Sequence, residues 1–97
     1  MTTVEINNFI DCLTYENCDV GWNQKTYMCL GVTTDAESRD CRIEVWECEP
    51  LTHEFTHNLL SFTGTSKEAC MKHFLEDKYW DGKSFYEVAP DMEWIDL

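Results

Sequence analysis

The chain is 97 residues long, 43% hydrophobic and 13% aromatic, which is enough apolar surface for one folded domain and too little chain for two cores. Nineteen Asp and Glu against seven Lys and Arg leave a formal charge of −12. That balance excludes an ordinary nucleic-acid binder, because there is too little cation to neutralise phosphates, and it disfavours docking on anionic lipid.

Thr2-Thr3-Val4-Glu5 has the form of a capping box. Behind it, Ile6, Phe9, Ile10 and Leu13 recur at i, i+3, i+4 and i+7, so the spacing predicts an amphipathic helix over residues 3–16. Asp19 and Gly21 then break the pattern. Residues 26–32 are short, apolar and β-prone, and residues 33–40 form a polar, acidic connection. Cys41, Ile43 and Val45 alternate with Arg42, Glu44 and Trp46, so residues 26–32 and 41–48 read as antiparallel strands. Glu49-Pro50-Leu51-Thr52 reads as a turn. Residues 53–62 fit either element: Phe55, His57 and Leu59 share a strand face, while Leu51, Phe55, Leu59 and Phe62 make a helical stripe. Their Thr, Phe and Ser content favours the strand. A second helix is expected over residues 66–79, capped by Thr65 or Ser66 and ended by Asp81-Gly82. Residues 84–97 mix Phe85, Tyr86, Val88, Trp94 and Ile95 with acids, so this segment is expected to pack on the domain.

The expected fold is a single α+β domain over residues 1–97. It has a three-stranded antiparallel sheet with two helices packed on one face, followed by an acidic, aromatic C-terminal segment. The six cysteines, Cys12, Cys18, Cys29, Cys41, Cys48 and Cys70, include no Cys-x-x-Cys pair, and several sit inside apolar runs. They read as reduced, buried small hydrophobes. No run of about 18 apolar residues is present, and the opening MTTVEINNFIDCL lacks the basic and apolar regions of a signal peptide, so a cytosolic location is expected.

His53-Glu54-Phe55-Thr56-His57 matches H-E-x-x-H and is similar to the zincin metalloprotease signature. On a helix this spacing puts two imidazoles on one metal, with the Glu beside the bound water as general base. A third ligand would have to come from Glu68, His73 or Glu76. On a strand the two histidines are about 13 Å apart and cannot share one ion. With the strand preferred, no metal, cofactor or catalytic residue is assigned, and a minimal zinc protease stays as an alternative.

The charge itself is the stronger signal. Self-repulsion at this density opposes folding, so a fold that carries it is expected to use it. Carboxylates two apart on a strand are separated by about 6.7 Å and those four apart on a helix by about 6 Å of rise. Such spacings resemble a phosphate array and suit a Lys/Arg-lined groove. Two acid groups are candidates for partner binding: Glu44, Glu47 and Glu49, and Asp91, Glu93 and Asp96. Trp46, Trp80 and Trp94 are candidate aromatic anchors, with Trp94 the first choice. A generic acidic adaptor is the other alternative.

The length, the opening MTTVEINNFIDCL and the acids spread over an α+β pattern resemble the small acidic DNA-mimic anti-CRISPR proteins of phages and mobile elements, such as those known from Shewanella. The resemblance implies a non-enzymatic inhibitor of the type I-F Csy (Cascade) surveillance complex that works in the bacterial host cytoplasm. It would bind the Cas8-type large subunit and the adjacent backbone subunit where target duplex enters. It would act as a monomer, with no direct contact to nucleic acid or membrane. No shared motif carries contact residues over.

Overall fold

The computed structural model describes residues 1–95. Thr2 opens α1 (Thr3–Leu13) with both halves of a capping box. Its Oγ1 accepts from the Glu5 amide at 3.2 Å, and Glu5 Oε1 accepts from the Thr2 amide at 2.9 Å. The two bonds satisfy helix amides that otherwise have no partner, and they hold the Glu5 carboxyl below its ordinary range. Phe9 and Leu13 are buried on the predicted apolar face. The helix ends at Leu13 rather than 16, where the amides of Tyr15 and Glu16 both turn back to the Cys12 carbonyl.

Five strands follow, β1 (Cys18–Trp22), β2 (Lys25–Thr34), β3 (Cys41–Cys48), β4 (Phe55–Gly64) and, at the end of the described chain, β5 (Glu93–Ile95). They form one sheet in the order β4-β3-β2-β1-β5, with every neighbouring pair antiparallel. Residues 55–64 are therefore a strand, the preferred element there. Among the described residues, the three-stranded sheet expected from the sequence is corrected to five strands, and the two helices to three. Asp19 and Gly21 do not interrupt the chain: they occupy the outward positions of β1, while Cys18 and Val20 point into the core. β1 joins β2 through Asn23 and Gln24, both at positive φ, the conformation a two-residue hairpin needs to match strand twist.

Between β4 and β5 run α2 (Lys67–Glu76) and the single-turn α3 (Phe85–Val88), which leads into a 3-10 turn over Ala89–Asp91. Ser66 Oγ caps α2 through the Ala69 amide at 3.1 Å. The helix stops at Glu76, short of the expected residue 79. Residues 77–84 instead make a tight turn in which Trp80 and Lys83 exchange backbone hydrogen bonds across Asp81 and Gly82, both at positive φ.

The helices cover one face of the sheet. Phe9 stacks on Phe85 with ring centroids 5.5 Å apart, Phe74 meets Phe85 at a 45° tilt at 4.9 Å, and Trp94 of β5 meets Phe9 edge-on at 5.4 Å. A second aromatic group, Trp22, Tyr27 and Tyr79, surrounds the fully buried Trp80. All six cysteines are free, and burial pushes the Cys18 thiol up to about 12 and the Cys29 thiol well above its usual range. At these positions the sulfurs behave as neutral, space-filling groups.

A register shift in β2 between Leu30 and Thr33 brings Gly31 against the loop after α1. The Gly31 amide donates to Asn17 Oδ1 at 2.8 Å, and a Cβ there would lie 2.4 Å from the Glu16 carbonyl oxygen. Gly31→Ala is expected to destabilise the fold by about 1–3 kcal/mol through this backbone clash. Phe85→Ala is expected to cost about 3–5 kcal/mol by emptying the centre of the aromatic stack. Urea unfolding of each variant checks both values.

Candidate interaction surface

Because side chains alternate across a strand, the five-stranded register also defines the sheet's other face. Ile95, Asp19, Met28, Trp46 and Asn58 make one row across all five strands. Leu30, Glu44 and Ser61 lie in the row on one side of it. Glu93, Gly21, Thr26, Cys48 and Phe55 lie on the other. Met28, Leu30, Trp46, Phe55 and Ile95 neither belong to the hydrophobic core nor pack against it. Phe55 is 45% exposed and stacks on Trp46 at 5.1 Å with the rings 14° from parallel.

The connection after β3 folds back over part of this face. Its hydrogen bonds, Glu49 amide to Glu54 carbonyl and His53 amide to Glu49 carbonyl, close a tight loop with His53 at positive φ. The His53 imidazole then comes within 3.9 Å of the Asp19 carboxylate. Cys48, on the same face, is buried although it is not part of the core cluster. Leu51, at the tip of the loop, stays exposed.

The candidate acids do not form one patch. Glu44 lies on the open face, accepting from Arg42 Nη2 at 3.0 Å and from Ser61 Oγ at 3.4 Å. Glu47 points to the opposite face, paired with Lys25 Nζ at 3.3 Å and bonded by Thr56 Oγ1. Glu49 is exposed in the loop. In the second group, Asp91 is exposed in the 3-10 turn and Glu93 is exposed on β5 opposite Gly21. Asp96 lies outside the described residues. Trp94 faces the core side and is only partly buried there, so its loss would damage packing as well as any contact. Trp80 is corrected from a surface anchor to a core residue with no exposed area. Trp46 is partly exposed on the open face.

The H-E-x-x-H residues run from the loop into β4, so the helical placement of two imidazoles on one face does not form. His57 pairs across to Glu47, while His73 on α2 bonds Asp77 at 2.8 Å and stacks on Phe62. Among the described residues no three His, Cys, Asp or Glu side chains are grouped to hold a metal, and no helix is long and apolar enough to cross a membrane. Compared with known proteins, the chain matches no family model, no curated protein and no solved structure.

Asp19 was one acid among many in the sequence. In the structure it is the only buried carboxylate among the described residues, 6% exposed. Burial raises its pKa, and a protonated His53 pulls it the other way. An acid whose folded pKa exceeds its unfolded value contributes stability at low pH and loses it as pH rises through the folded pKa. Asp19→Asn is therefore expected to raise the melting temperature near neutral pH. The gain should shrink as pH falls through the folded pKa and vanish below about pH 3, where the carboxyl is neutral in both states. Thermal melts across that range measure it.

Proposed function

We propose that this protein is a non-enzymatic DNA mimic that occupies the basic target-DNA site of a type I-F Csy surveillance complex, against the Cas8-type large subunit and the adjoining backbone subunit. The reading places it in the host cytoplasm as a monomeric anti-CRISPR inhibitor. The observation that carries it is the display of uncompensated charge on a rigid scaffold. Every described carboxylate except Asp19 is exposed or partly exposed, and among the described residues only Glu44 and Glu47 pair with a Lys or Arg. Several of these acids are fixed by their own hydrogen bonds. Asp35 accepts from the Glu37 and Ser38 amides at 2.8 and 2.9 Å, and Glu87 closes a capping box with Ser84. Both carboxyls are held below their ordinary range by these bonds, so they stay ionised in mildly acidic solution. The resemblance of the chain to acidic DNA-mimic anti-CRISPR proteins supplies the identity of the basic partner.

A protein and a duplex that need the same cations exclude one another. Saturating protein is expected to abolish target-DNA binding by a purified Csy complex, and excess duplex to displace the protein. Affinity should fall steeply as salt rises, because the attraction and its steering are both screened. Neutralising any one exposed acid should cost less than about 1 kcal/mol. Simultaneous binding of protein and duplex, or unchanged DNA affinity at saturation, overturns the proposal.

A further inference from the structure

We infer that the open face of the sheet, centred on the Trp46–Phe55 stack, is the surface that docks the partner, and that it receives an arginine-rich protein segment. The inference rests on the basic-partner reading above and adds the face and the side chain recognised. On the helical side Phe9, Phe74, Trp80 and Phe85 are buried in the core, and the exposed rings there, Tyr15 and Tyr86, each carry a hydroxyl, Tyr15 lying under Lys67 Nζ. The open face instead holds a stacked pair whose outer ring, the wholly apolar Phe55, is 45% exposed. Beside it lie Met28 and Leu30, partly exposed and in register with Trp46 and Glu44. Apolar side chains left in this position, off the core, mark a contact surface rather than a folding requirement.

The charge around the face selects the occupant. Glu44 borders the stack, Glu49 and Glu54 stand in the loop beside Phe55, and Glu93 closes the far end. Arg42 is the cation that answers them, and it is already bonded to Glu44. A second copy of the chain would bring another charge of −12 against this rim, a repulsive arrangement. Arginine suits both parts of the surface. Its guanidinium stacks on an aromatic face within about 6 Å of the ring centre, pairs with carboxylates through two parallel N–H bonds, and lays its methylene stem on apolar neighbours. The Arg42–Glu44 pair supplies one guanidinium–carboxylate bond of this kind within the chain, Nη2 to Oε1 at 3.0 Å.

The test is a nitrogen-15 NMR titration of the whole protein with an arginine-rich twelve-residue peptide, alongside its glutamate-substituted counterpart. Shifts are expected at Met28, Leu30, Glu44, the Trp46 indole and Asn58, with no response to the acidic peptide. Phe55→Ala should weaken peptide binding at least about tenfold without moving the melting temperature by more than a few degrees. Glu44→Gln with Glu93→Gln should weaken it as well, whereas Asp11→Asn with Glu76→Gln, on the helical side, should stay within twofold of the parent. Binding mapped to the helices or to residues 35–40 overturns the face while leaving a basic partner in place. No binding of the arginine peptide overturns both. Concentration-dependent dimerisation that Phe55→Ala abolishes assigns the face to a second copy and overturns the proposal.

Discussion

Phe9 is held between Phe85 and the edge of Trp94, and through Phe85 it joins Phe74. These rings come from α1, α3, β5 and α2, so one aromatic cluster ties the first helix to the elements that follow the sheet hairpins. Each ring of this size removes about 150–250 Å² from water, far more than the three residues of β5 could contribute through their own backbone pairing. The hydrogen bonds from the Met1 ammonium to the carbonyls of Ala89, Pro90 and Met92 act at the same junction. With the C-terminal segment held there, β5 pairs with β1 and makes it an interior strand.

A sheet covered on one face must resolve its other face differently. Here the second face is neither polar throughout nor buried. The loop after β3 folds back on it, hiding Cys48 and Asp19, and the Trp46–Phe55 stack occupies ground beyond that cover. The outer strand β4 is interrupted by irregularities opposite Val45–Trp46 and Glu47–Cys48. Asn58 supports the first of these by donating to the Val45 and Leu60 carbonyls. Such breaks twist an edge away from pairing with another chain.

The net charge of −12 and the aromatic core make opposite demands. Repulsion among surface carboxylates favours expansion, while the two buried aromatic groups on one side of the sheet oppose it. Asp19 stands apart from the exposed acids because its cost is desolvation rather than repulsion, and the His53 imidazole is the group placed to offset it.

Local patterns were sufficient for α1, whose capping box and apolar spacing need no distant partner, and for β3, whose alternation spans eight residues. Residues 53–62 fitted a helical stripe as well as a strand, with Thr, Phe and Ser content the signal that favoured the strand, and the cap of α2 was narrowed only to Thr65 or Ser66, of which Ser66 caps it. The same alternation separates Glu44 from Glu47, although closeness in sequence made them look like one group. β1 was hidden because a five-residue strand containing Asp and Gly has little local preference. β5 was hidden because three residues become a strand only when another strand lies beside them. Trp80, next to Asp81, carried no mark of burial until the turn over residues 77–84 delivered it to Trp22, Tyr27 and Tyr79. The sequence by itself determined the acidity, the α+β character and the residues able to form a core. Only the tertiary structure decided which aromatics fill that core and which remain on the open face, because that choice depends on strand pairings and helix contacts made across the length of the chain.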